Sequence, residues 1–181
     1  MLKSDSMFSL PIYTVEVADW IEKKQKIKKI IDNLYLGVPS NDPNHCLTDF
    51  FLNKEPQPYW GEILEILDKE ITRSERGLFN KREMMIEGFW VEKSTKSKSH
   101  PIHNHGALGY SAVLYVDFDP EHHSPTRFVS PFNDWETGAP VYYLPKVREG
   151  VMIYFPSYIL HEAPPNLSDK TRTIISFNFK V

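Results

Sequence analysis

The run His100-Pro101-Ile102-His103-Asn104-His105 leads into Gly106-Ala107-Leu108-Gly109-Tyr110-Ser111-Ala112-Val113-Leu114-Tyr115-Val116-Asp117. The second part is apolar, β-branched and aromatic, and it follows glycine punctuation, so it reads as a strand. Side chains two apart on a strand point to one face. A strand through His103 and His105 would therefore present two imidazoles together. A third imidazole from a distant strand could close a metal site, and imidazole suits iron, zinc, nickel and copper. His161 is the candidate, because it follows the apolar run Phe155-Pro156-Ser157-Tyr158-Ile159-Leu160. Taken alone, three histidines within six residues would equally describe a surface loop. His161, and Arg172 at the head of the strand-like run 171–180, argue against that reading.

The texture around this stretch sets the fold class. From Glu83 onward, short β-rich runs alternate with Pro, Gly, Asn and Asp. The runs are 84–93, 101–105, 108–117, 126–130, 140–144, 151–155, 158–163 and 171–180. Eight short strands at close spacing predict a sandwich or barrel, and a jelly roll is the eight-stranded solution. Upstream, 7–17 reads as a strand. Asp19 and Glu22 form a capping-box pattern. Trp20, Ile27, Ile30, Ile31 and Leu34 follow helical spacing, with lysines on the solvated face, and Gly37 and Pro39 end that helix. Residues 38–58 read as a proline-rich loop. Trp60, Ile63, Leu64, Leu67 and Ile71 then form the apolar stripe of a second helix. The expected organisation is a single domain over 1–181. Residues 1–80 form an α-rich support, residues 82–181 form the β core, and the helices pack on one sheet.

Composition narrows the class. At 181 residues, 41% hydrophobic and 25% charged, the chain reads as an ordinary soluble globular protein with a sizeable core. A net charge of −3 gives no reason to expect a nucleic-acid partner. The single cysteine, Cys46, cannot make an intrachain disulfide. The opening Met1–Ser6 lacks a signal-peptide-like apolar run, and no segment has bilayer-spanning length, so a cytoplasmic location and no membrane partner are expected. An uncovered sheet edge would make a homodimer possible.

The motifs resemble the iron(II)- and 2-oxoglutarate-dependent oxygenases, whose fold is the double-stranded β-helix. They are most similar to a small bacterial and phage branch with a His-x-x-His-x-His run. In that branch, as here, the run leads into a strand, and a glycine precedes a Phe-Pro-Ser segment and a late histidine. The matching residues are Gly150, Phe155-Pro156-Ser157, His161, Pro164-Pro165-Asn166, Arg172 and Ser176-Phe177-Asn178. The similarity is strong over 100–181 and faint over 1–99. It implies Fe(II) held by His103, His105 and His161. It also implies 2-oxoglutarate held through its C5 carboxylate by Arg172, a bidentate match, helped by Tyr115 and Ser176. Arg172, Ile174, Ser176 and Asn178 share one strand face, as do Ser111, Val113 and Tyr115. His100, Ser111 and Asn178 are candidates for supporting roles, and His100 also for a ligand or a surface residue.

One departure stands out. The superfamily usually places Asp or Glu where this chain has His105. Either the site is three-histidine or a carboxylate arrives from elsewhere, and Asp117, Asp119 and Glu162 are the candidates. Three histidines also suit zinc. His122 and His123 read as surface residues. Phe128, Phe132 and Trp135, in the long connection 117–139, could line a substrate entrance.

The function implied is a 2-oxoglutarate-dependent dioxygenase that hydroxylates a C–H bond of a small-molecule or peptidyl substrate, releasing succinate and CO₂. Two alternatives remain at this stage. One is a cupin-like three-histidine metalloenzyme that does not use 2-oxoglutarate, for which Arg172 has no purpose. The other is a jelly-roll binding module, which has no need of converging histidines.

Overall fold

The computed structural model describes residues 9–39, 41–52 and 55–181. The chain runs β1 (Tyr13–Glu16), α1 (Trp20–Ile31), β2 (Leu47–Thr48), α2 (Pro58–Ile66), α3 (Asp68–Gly77) and β3 (Met85–Ser94). It continues β4 (His100–His103), β5 (Tyr110–Asp117), β6 (Arg127–Val129), β7 (Tyr142–Tyr143), β8 (Val151–Pro156), β9 (His161–Ala163) and β10 (Arg172–Lys180). Each of the eight expected C-terminal runs overlaps one of β3 to β10. A six-stranded sheet has the order β1-β8-β5-β10-β3-β2, and a four-stranded sheet the order β4-β9-β6-β7. All named pairs are antiparallel. The result is the expected jelly roll.

Strand alternation divides the interior in two. Val91, Ala112, Leu114, Val116, Met152, Tyr154, Ile175, Phe177 and Phe179 face the helices and pack with Ile27, Ile31, Ile63 and Leu67. Val113, Tyr115, Ile153, Phe155 and Ile174 face the other way, into the sandwich, with Phe128 and Ile159. The helices thus cover the outer face of the larger sheet. The inner face is left to hold both a small core and a polar cavity.

Several local expectations need correction. The strand expected over 7–17 shrinks to β1, and Met7 and Phe8 lie outside the described residues. The Asp19 cap has a left-handed backbone (φ 53°) and no side-chain cap bond, so the capping box does not form. α1 stops at Ile31, well before Gly37. The second helix breaks at Leu67 (φ −97°, ψ 5°) into α2 and α3. After the break, the buried Glu70 accepts bonds from the Ala18 N–H at 3.0 Å and from Lys23 Nζ at 2.6 Å, tying α3 to the start of α1. The proline-rich loop contains the short β2 strand, which pairs with β3.

Gly150 shows why glycine stands ahead of β8. Its φ is +74°, and an added Cβ would lie 2.5 Å from Trp20 Cγ. Backbone strain and overlap with a packed indole add together. Gly150→Ala is expected to cost about 2–3 kcal/mol and to lower the thermal midpoint by roughly 5–10 °C. Calorimetric unfolding checks this, and an unchanged midpoint would count against it.

Candidate metal centre

His103 and His161 are cross-strand partners of β4 and β9. His105 is not on a strand, contrary to the sequence expectation. β4 ends at His103, because Asn104 Oδ1 accepts the Gly106 N–H at 3.2 Å and Gly106 has a positive φ of 102°. This turn swings His105 back, and its own N–H donates to Ser157 O at 2.9 Å, just beyond β8. The three imidazoles still converge. His105 Nε2 lies 3.2 Å from His103 Nε2 and 3.1 Å from His161 Nε2. Adjacent positions on a metal with bonds of about 2.1 Å are separated by about 3 Å. The spacing fits a facial ligand set.

Tautomers are set by the backbone. His103 Nδ1 lies 2.7 Å from Pro101 O, and His161 Nδ1 lies 2.8 Å from Ile159 O. A carbonyl only accepts, so both Nδ1 atoms carry the proton and both Nε2 lone pairs face the common point. His105 Nδ1 instead meets the Asn178 amide at 3.1 Å. Asn178 is held by Ser111 Oγ at 2.8 Å, and Ser111 lies 3.0 Å from Ser157 Oγ. Burial pushes the His161 imidazole down to about 3, with the neighbouring His103 and His105 adding to the effect. Burial likewise brings His103 and His105 down to about 4, helped by His100 and His103 respectively. All three are neutral at pH 7, the form that binds a metal.

The same cavity is lined by Arg172, Ser176, Ser111, Thr126, Ile174, Trp90 and Glu92. Arg172 is 3% exposed, and its Nε and Nη2 have no hydrogen-bond partner among the described residues. Leaving buried charged donors unpaired costs several kcal/mol, a cost that an anion in the cavity would remove. Tyr115 is fully buried, with its ring centroid 5.9 Å from Arg172 Cζ. Its hydroxyl donates to Thr126 Oγ1 at 2.9 Å and accepts the Thr126 N–H at 3.1 Å. Burial pushes this phenol up, against the pull of Arg172 and Thr126.

Of the three carboxylates considered as ligands, none joins the cluster of three imidazoles, although Glu162 lines the same cavity. Asp117 pairs with Lys24 at 2.9 Å and Lys28 at 3.0 Å on α1. Asp119 pairs with Lys170 at 2.6 Å. Glu162 pairs with Arg127 at 2.6 Å. His100 Nδ1 meets Glu92 Oε1 at 3.0 Å while its ring stacks on His103 at 3.9 Å. His123 is no surface residue. It is buried, accepts the Asp119 N–H at 3.0 Å and reaches Lys170 O. Phe128 belongs to the core, 4.8 Å from Phe155 and 5.9 Å from His161, while Trp135 is exposed. The sequence reading missed Glu92 and Trp90, whose indole stacks on His105 at 5.2 Å. Their signal was the parity of β3, where Trp90, Glu92 and Ser94 alternate with the helix-facing Phe89 and Val91.

The family model of the 2OG-Fe(II) oxygenases matches residues 88–178. Comparison with curated proteins gives no match. Among solved structures, a carbocyclase of nogalamycin biosynthesis, SnoK, is similar at TM-score 0.67 and 10% identity, over 94% of this chain and 80% of that one. A Pseudomonas putida prolyl-4-hydroxylase is similar at TM-score 0.61 and 15% identity, over 95% and 93%. HygX from Streptomyces hygroscopicus, solved with nickel, 2-oxoglutarate and hygromycin B, is similar at TM-score 0.64 and 12% identity, over 94% and 83%. At such identities these structures share the fold alone. No helix among the described residues is long and apolar enough to cross a membrane.

Proposed function

The chain belongs to the 2OG-Fe(II) oxygenase family, and on that premise we propose that it hydroxylates a C–H bond, with Fe(II) held by His103, His105 and His161 and 2-oxoglutarate held by Arg172. The observation that carries this reading is the meeting, in one cavity, of converging Nε2 atoms and a guanidinium with unpaired donors. The bound iron supplies the redox chemistry that couples decarboxylation of 2-oxoglutarate to oxidation of the substrate. In balance, one C–H bond, one O₂ and one 2-oxoglutarate give one C–OH, one succinate and one CO₂.

The remaining tasks fall to this chain's own residues. Arg172 offers Nε and Nη2 as a two-pronged clamp for the C5 carboxylate. Tyr115, anchored by Thr126, walls the guanidinium and fixes its direction. Ser176 adds a hydroxyl on the same strand face. Asn178 sets the orientation of His105. A metal on His105 Nε2 requires the proton on Nδ1, so the amide would present its oxygen there and its NH₂ to Ser111. Phe155 and Phe128 pack against the His161 ring and shield that side of the site.

A carbocyclase shares the fold, so the fold does not decide the outcome of the oxidation. The test is a screen for Fe(II)-dependent succinate release over peptides, amino acids and small metabolites, with mass analysis of the product. One added oxygen supports hydroxylation. Succinate release with a cyclised or desaturated product would replace it.

A second test concerns the third ligand. His105→Asp is expected to retain Fe(II) binding within about tenfold, because it rebuilds a His-x-Asp pattern. His105→Ala is expected to lose on the order of a hundredfold. Equal metal affinity in the two variants would remove His105 from the ligand set.

A further inference from the structure

A three-histidine set lacks the negative charge that a His-x-Asp site carries. A divalent ion, three neutral imidazoles, the 2-oxoglutarate dianion and Arg172 leave one positive charge uncompensated in a buried space. Uncompensated charge is costly there. Glu92 lines the same cavity and is 3% exposed. On β3 it stands opposite Ile174, one step along the shared face from Arg172. Its Oε1 accepts the Trp90 indole N–H at 2.8 Å and meets His100 Nδ1 at 3.0 Å, and its Oε2 lies 3.4 Å from Cys46 Sγ. Trp90 stacks on His105, and His100 stacks on His103. Two of the three partners of this carboxylate, Trp90 and His100, therefore each pack against one candidate ligand.

We propose that Glu92 is the charge-compensating carboxylate of the metal site, doing from behind Trp90 and His100 what a ligating Asp does in a His-x-Asp relative. It is a positioning residue: it orients the two rings that wall the ligands and supplies the missing negative charge. The proposal rests on reading His103, His105 and His161 as the metal set. Asp117, Asp119 and Glu162 each pair with a lysine or arginine, whose charge is permanent, whereas Glu92 has no lysine or arginine ion pair among the described residues and meets only His100, a cation only when protonated. Burial would push the Glu92 carboxyl up, but His100, the Trp90 N–H and Arg172 outweigh it and hold it well below the usual carboxylate range.

Glu92→Gln tests this with little change of shape, since the amide oxygen still accepts from Trp90. A charge acts with opposite sign on a cation and an anion, whereas a loosened structure weakens both. Mn(II) is titrated into the protein by calorimetry, and 2-oxoglutarate is then titrated into the Mn(II)-loaded form. Glu92→Gln is expected to bind Mn(II) on the order of tenfold more weakly and 2-oxoglutarate on the order of tenfold more tightly. Glu92→Asp, which keeps the charge, should not show this opposed pair of shifts. Losses in both affinities with Glu92→Gln, no shift in either, or the same opposed shifts in Glu92→Asp would overturn the proposal. Failure of the unsubstituted protein to bind Mn(II) would instead overturn the metal-site reading beneath it.

Discussion

Replacing Arg172 with alanine is expected to weaken 2-oxoglutarate binding to the metal-loaded protein by about 2–5 kcal/mol, from roughly thirtyfold to several thousandfold. The guanidinium is buried, and its Nε and Nη2 have no partner among the described residues. These two donors have no bond to lose when the carboxylate arrives, and its charge loses its bidentate partner when Arg172 is gone. Arg172→Lys should recover only part of the loss, because an ammonium is a point charge and cannot reproduce the planar fork. Mn(II) affinity should not fall, since removing a positive charge from the cavity favours a cation. Calorimetry with both ligands separates the effects. Unchanged 2-oxoglutarate affinity in Arg172→Ala would remove its role.

His161→Ala should have the largest effect on the metal. His161 is 4% exposed, its Nδ1 proton is fixed by Ile159 O, and Phe155 and Phe128 pack on its ring. Four-ligand zinc sites are worth roughly 10–16 kcal/mol, so one pre-aligned ligand is worth about 3 kcal/mol, or more than a hundredfold in affinity. Metal content after reconstitution and dialysis should fall to background, and the thermal midpoint of the metal-free protein reports separately what the lost packing against Phe155 and Phe128 costs. Full occupancy in His161→Ala would contradict the assignment.

The eight C-terminal strands were legible because their period of two is local. Arg172, Ile174 and Ser176 could be put on one face without knowing what they faced. The packing of helices on one sheet followed from their apolar stripes. What escaped depended on non-local geometry or on a single turn. The break at Leu67 interrupts a stripe whose spacing continues unbroken through Ile71. Asn104 and Gly106 end β4 early, so His105 reaches the site from a turn and not from strand alternation. The lysine partners of Asp117 were not legible, because they depend on how α1 lies over that end of β5. Glu92 escapes because the composition of 84–93 marks a strand but not which parity faces inward. A carboxylate at an inward position of an apolar strand is a signal available from sequence.

The most direct test of the account is anaerobic visible absorption of the Fe(II)-reconstituted protein on adding 2-oxoglutarate. Chelation of iron by the cosubstrate gives a weak charge-transfer band that neither component gives alone. The account predicts that the band appears in the unsubstituted protein at one iron per chain and is absent in His161→Ala. In Arg172→Ala it should need far higher 2-oxoglutarate to develop. No band in the unsubstituted protein under saturating iron and 2-oxoglutarate, or an undiminished band in His161→Ala, would contradict it.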